Sequence, residues 1–158
     1  MVSIATQAVL SSTSGLYSMV SLEQGLLAKI TGDATLAAIL GGPPAVFRSR
    51  APQGTEFPFL VYTTLPALSR RFLGGDGRIE DVPVLLTCVS NSSFRCLQVQ
   101  DRLATLFEQE PFAVASGALV QVIADREGAI ALKGKDALGN DVYTTRLRLT
   151  FSALDVVS

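Results

Sequence analysis

Histidine and tryptophan are absent from this 158-residue chain. Without histidine there is no Ser-His-Asp or Cys-His relay, and the usual imidazole-bearing zinc sites are excluded with it. Cysteine is nearly absent: Cys88 and Cys96 are the only two, they form no C-x-x-C pair, and they fall on different expected elements, a strand and a helix. They are read as buried small apolar residues, not as a disulfide framework. Charge is scarce as well, at 17% of residues against about 25% in a typical soluble domain. The 13 basic and 14 acidic residues leave a net charge of −1, so no global field draws in nucleic acid or an anionic membrane. Apolar runs such as Val82 to Leu86 fall far short of the about 20 residues that span a bilayer. The first basic residue is Lys29, so the cationic start of a signal peptide is missing and a soluble, non-exported chain is expected.

Catalytic motifs are missing in the same way. There is no Gly-x-Ser-x-Gly elbow, and Gly74, Gly75 and Gly77 lie between expected strands, not between a strand and a helix. Gly128 to Lys135 approaches a phosphate loop, but one residue too many precedes Gly134-Lys135, and Asp136 stands where Ser or Thr must bind the metal. The carboxylate pairs Glu108 with Glu110 and Glu80 with Asp81 fall at element ends, where solvated charge is the ordinary explanation. No catalytic residue, metal ligand or cofactor site is expected, and the chain reads as a non-enzyme.

What is present is a domain-sized, apolar sequence with 48% hydrophobic residues. A surface this poor in charge fits one partly covered by other subunits, or a well-packed monomer with a Ser/Thr-rich exterior. Residues 1–20 read as an N-terminal arm, uncharged and without clear periodicity, and residues 21–156 as one domain. Ser21 with Gln24 predicts a capping box, and Leu22, Leu26, Leu27 and Ile30 the apolar face of the helix behind it. Gly32 ends that helix, and Asp33 can cap a second through Leu36, Ile39 and Leu40 that stops at Gly41-Gly42-Pro43-Pro44. Ala45 to Arg50 reads as a short strand with Arg48 and Arg50 on one face.

The clearest strand follows near Phe57, with Phe59, Val61 and Thr63 on one side and Leu60, Tyr62 and Thr64 on the other. Pro66 to Glu80 is a projecting loop or extended hairpin with a Gly-Gly-Asp-Gly tip. Val82 to Val89 is a strand that Pro83 argues to be an edge or bulged one. Asn91 to Ser93 cap the best amphipathic helix, which reaches about Gln109 with Pro111 closing it, and Cys96, Val99, Leu103, Leu106 and Phe107 form its apolar face. Leu119 to Ala124 is a strand, Arg126 to Asp141 turn chemistry, and Val142 to Leu154 a long half-buried strand. The order implies an α+β domain: an antiparallel or mixed sheet of about five strands with two helical elements packed on one face, the other face polar or shared.

The basic residues Arg48, Arg50, Arg70, Arg71, Arg146 and Arg148 come in pairs. They read either as surface charge or as forks for carboxylates across an assembly interface, and Phe72 and Leu73 join them as candidate contacts in the long loop. Direct DNA binding ranks below both, since no aromatic stacking pattern accompanies them.

Asp33-Ala-Thr-Leu-Ala-Ala-Ile-Leu-Gly-Gly, Arg50-Ala-Pro-Gln-Gly-Thr, Pro58-Phe-Leu-Val-Tyr, a glycine-bearing loop, a strand and helix pair, and a last strand with Tyr143 and Arg146 follow one another in this chain. In that order they resemble the tail terminator, or tail completion, proteins of long-tailed bacteriophages, over roughly Leu22 to Leu154. Gly-Gly-Pro-Pro departs from the family's more usual basic start of the first strand, and the arm is an addition. The resemblance implies a virion protein assembled in the host cytoplasm into a hexameric ring at the head-proximal end of the tail. Its implied partners are copies of itself, the tail tube protein and head-tail connector proteins, with genome DNA passing through without specific binding. No cofactor, substrate or membrane is implied. A connector or stopper component is the near alternative; a hydrolase, lacking its triad here, or a nucleic-acid-binding module stands further off.

Overall fold

The computed structural model describes residues 19–71, 77–109, 112–113, 119–127 and 130–156. Helix α1 (Met19–Thr31) buries Leu22, Leu26 and Ile30 completely, at the spacing of four that keeps one face inward. It is already formed at Met19, so Ser21 lies within the helix and not at the N-cap position, contrary to the capping box read from the sequence. A serine inside a helix costs under about 1 kcal/mol relative to alanine, too little to prevent the helix from starting earlier. The arm expected over 1–20 thus yields Met19 and Val20 to α1, and the rest of it lies outside the described residues.

α1 ends at Thr31, and Gly32 follows it, donating its N–H to the Ala28 carbonyl at 3.0 Å in a place where a Cβ would come within 2.9 Å of that oxygen. Asp33 then caps helix α2 (Ala34–Leu40), its carboxylate accepting the Leu36 N–H at 2.9 Å, and Gly41 closes it in the left-handed region at φ 80°. Arg102, on helix α3 (Ser93–Gln109), grips the same carboxylate through Nε at 2.8 Å and Nη2 at 2.6 Å. One aspartate therefore starts α2 and ties it to α3. Its carboxyl is held below the ordinary value of 3.8, first by the Arg102 hydrogen bond and further by the Leu36 N–H, against the opposing effect of burial.

The strands are β1 (Val46–Arg48), β2 (Phe59–Thr64), β3 (Leu68–Arg71), β4 (Gly77–Ser90), β5 (Phe112–Ala113), β6 (Leu119–Arg126), β7 (Ala131–Lys135) and β8 (Asp141–Val156). They lie in the order β1-β2-β4-β8-β6-β5, with β3 paired to β4 and β7 to β8 off that path. β1 and β2 are parallel and the other pairs antiparallel, which makes the sheet mixed. The α+β class with helices on one face is as expected. β2 begins two residues later than expected, after a cis Phe57–Pro58 peptide.

Pro83 lies in the middle of β4, a central strand, against the expectation of an edge or bulge. The reason is directional. A strand residue's N–H and C=O point to the same side, and the Pro83 carbonyl accepts from Leu65 N–H at 2.9 Å. Its missing donor therefore faces the 65–67 connection, where β2 has ended at Thr64 and β3 has not begun. The ladder to β8 loses nothing.

The long segment expected as loop or hairpin is a hairpin: Leu68 pairs with Asp81 and Arg71 with Arg78, its tip 72–76 lying outside the described residues. β7 was not expected. Lys133-Gly134-Lys135 is strand, with a register shift between Leu132 and Gly134, and the turn chemistry belongs to Asp136–Asn140 alone. There the Asp136 carboxylate accepts the N–H groups of Leu138 and Asn140 at 2.9 and 2.8 Å.

The core lies between the helices and one sheet face. Leu60, Tyr62, Val84, Leu86, Leu147, Leu149 and Phe151 meet α1, α2 and α3 there, and Phe107 packs edge-on to Phe151 at 6.1 Å. α3 follows its expected face, and Ser92 caps it, its Oγ accepting from Arg95 N–H at 3.3 Å. Pro111 is outside the described residues. Cys88 and Cys96 are free and buried in this core, as read. The Cys88 thiol is pushed up by its hydrogen bond with Cys96 and by burial.

Candidate functional site

The helix-free sheet face holds a second, smaller apolar cluster around Phe59, Val89 and Val142. Phe57 stacks on Phe59 at 5.7 Å, and Phe47 meets it edge-on at 6.2 Å. This cluster is the deep end of an open groove of about 1050 Å³. The 49–55 segment forms one wall and β7 with its turn the other, while β2, β4 and β8 supply the floor. Register explains the floor. Phe59, Val89, Thr144 and Ala131 form one rung across four strands, and Val61, Thr87 and Arg146 the next across three.

The sequence candidates separate on this frame. Arg48 and Arg50 do not share a face, as had been expected. β1 ends at Arg48, and Ser49 takes φ 64°, in the left-handed region, reversing the alternation. Arg48 turns to the helix side, its Nε 3.0 Å from Glu23 Oε1 on α1, and Tyr62 donates to the same oxygen at 2.9 Å. Burial and that carboxylate raise the Tyr62 phenol above its ordinary value. Arg50 instead lines the groove. Arg146 and Arg148 project from the helix-free face as read: Arg146 is exposed on the groove floor, and Arg148 Nε lies 2.6 Å from Glu127 Oε1, outside hydrogen-bond alignment. Arg70 and Arg71 are placed by their β3 backbone alone, while Phe72 and Leu73 lie outside the described residues.

The structure therefore brings Arg50 and Arg146 together and adds Lys133, which the sequence reading had assigned to a turn. The groove's other charges are committed. Lys135 donates to Asp141 at 2.8 Å, a contact that holds its ammonium above the ordinary range, and Asp136 is used by its own turn. Among the described residues no carboxylate pairs with Arg50, Lys133 or Arg146. A buried Gln100 on α3 anchors the strand beneath, donating from Nε2 to the Arg146 carbonyl at 2.8 Å. Among the described residues no group of three or more His, Cys, Asp or Glu could hold a metal. The arrangement offers hydrogen-bond donors, positive charge and apolar floor, which suits binding.

No curated protein matches the chain. Among solved structures, a chain of the virion of a native gene transfer agent particle superposes with a TM-score of 0.54 at 13% identity, over 85% of this chain and 93% of that one. At that identity the likeness is one of fold. The model of the family described as tail completion protein gp17 matches residues 24–154, from α1 to β8 and so across both walls and the floor of the groove. By that match the chain belongs to the tail completion protein family.

Proposed function

We propose that the protein is a structural virion component that closes the head-proximal end of a phage tail tube as a ring of six copies. There it ends tube growth, presents a surface to the head connector and lets genome DNA pass without specific binding. The family match over nearly the whole described domain carries this reading. The low share of charged residues, 17%, fits a surface largely covered on assembly. Native mass spectrometry of the protein mixed with its tail tube should give a ladder ending at six subunits. A particle series that ends elsewhere, or a monomer under all conditions, contradicts the ring.

The β3–β4 hairpin is the proposed contact to tube or neighbour. Replacing Arg70 and Arg71 by Glu should leave the melting temperature of the free protein nearly unchanged, since a contact made only on assembly adds nothing to its folding. Phage complemented with that variant should yield filled heads with unjoined or overlong tails. Normal joined particles from the double variant would remove the hairpin from the interface.

A further inference from the structure

Resting on the reading of an assembly protein and deepening it, we propose that the groove receives an extended acidic segment of a different protein chain. Carboxylates of that segment would meet Arg50, Lys133 and Arg146 while its apolar side chains lie on the floor.

Charge carries the first half of the argument. In a chain of net charge −1 with few ionic residues, three exposed cations converge on one groove without a carboxylate among the described residues to answer them. The neighbouring acids are already engaged: Glu127 with Arg148, Asp141 with Lys135 and Asp136 with backbone. Three arginines elsewhere are paired, Arg48 with Glu23, Arg102 with Asp33 and Arg126 with Asp101. The groove is thus a local excess of positive charge with no folding role on view, and such an excess selects an anionic partner.

Shape and floor carry the second half. The groove volume of about 1050 Å³ reaches the top of the roughly 300–1,000 Å³ range of small-molecule sites, and it is open to solvent. Strand spacing of about 4.8 Å puts Val61 and Arg146, two strands apart, roughly 10 Å from each other, a width suited to one extended chain. Val61 and Phe57 are half-buried, so apolar surface awaits side chains of alternate residues. A nucleic acid strand would want aromatic faces to stack on, and Phe59 is only 7% exposed, with Phe57 stacked upon it. Protein therefore fits better than DNA.

The test is fluorescence anisotropy with the purified full-length chain at low salt. The probes are a fluorescein-labelled nine-residue peptide alternating Glu and Val, its Gln–Val counterpart, and a 20-nucleotide single strand and duplex of DNA. The Glu–Val peptide should bind saturably, and the Gln–Val peptide at least about tenfold more weakly. Arg50→Gln, Lys133→Gln and Arg146→Gln should each weaken the Glu–Val peptide roughly three- to tenfold with the melting temperature unmoved, while Arg126→Gln on the helix side should not. Each of these titration outcomes overturns the proposal: no saturable peptide binding, equal binding of the two peptides, tighter DNA binding with the same variants weakened, or peptide binding only after removal of residues 1–18. The last would assign the groove to the chain's own N-terminal segment. Groove-dependent self-association seen by sedimentation would assign it to a second copy and overturn the proposal equally. Because the titration reads neither ring nor tail, its failure leaves the ring to be judged by its own mass spectrum.

Discussion

Replacing Asp33 by alanine should be among the most damaging single changes at the surface of the helical layer. The substitution removes a helix cap, which costs about 1 kcal/mol, and a bidentate contact to Arg102. Hydrogen bonds to charged groups contribute about 1.5–3 kcal/mol net. With the two side chains only 21% and 10% exposed, little of that is lost to solvent screening. The sum is about 3 kcal/mol, a fall in melting temperature of roughly 6–12 °C for a chain of this size. Asp33→Asn keeps a capping oxygen and gives up the charge, so it should lose about half as much. The pH dependence separates the two contributions. Arg102 depresses the folded-state pKa of Asp33, so the stability it confers is complete above the ordinary value of 3.8 and is lost as pH falls through the lower folded value. The gap between wild type and Asp33→Asn, measured by urea denaturation, should therefore be constant from neutral pH to about 4 and close below it. An alanine variant within about 2 °C of wild type, or a gap that persists unchanged to about pH 2.5, refutes the clamp as a stabilising element.

Two further outcomes are expected. Cys88→Ala and Cys96→Ala should each cost about 1–2 kcal/mol through lost packing. A thiol reagent should label neither cysteine until urea unfolds the chain, and a melting temperature that shifts with reductant would contradict their purely apolar role. At Ser49, held at φ 64°, glycine should be tolerated or mildly stabilising, whereas valine should cost about 1–2 kcal/mol, because a β-branched side chain resists the left-handed region. Equal melting temperatures for the glycine and valine variants would refute the turn.

Periodicity made most of the fold legible. The four-residue spacing of Leu22, Leu26 and Ile30, the helical face from Cys96 to Phe107, and the two-residue alternation of β2 and β8 each report which face is buried, and burial is what holds these elements in place. Starts and stops were legible where a side chain acts on its own backbone, as at Asp33, Gly41 and Ser92. Pro83 was misjudged because a proline's tolerance depends on where its missing donor points, and that depends on Leu65, a partner some twenty residues away in sequence. β7 was missed for a related reason. Ala131 to Lys135 are all exposed, so no alternation marks them, and only pairing with Thr144, Tyr143 and Val142 makes them a strand.

The candidate site was half legible, and the missing half has two causes. Arg146 was placed correctly because β8 alternates without interruption, so parity alone assigns its face. Arg50 reaches the groove through a break in that parity, the left-handed Ser49 after β1, whereas plain alternation from Ala131 already points position 133 to the groove and only β7 itself, exposed throughout, carried no pattern to read. That break has no signature that overrides the default alternation, because serine rarely adopts positive φ. The same break explains one wall of the groove. A regular β1 running on through Arg50 would keep the chain in the sheet plane and send that arginine to the helix side with Arg48. The departure at Ser49 thus raises one wall over an apolar floor, β7 and its turn form the other, and Arg50, Lys133 and Arg146 line the space between them. Restoring alternation at Ser49 should then cost binding of an acidic segment more than it costs stability, the opposite ordering from a substitution at Asp33.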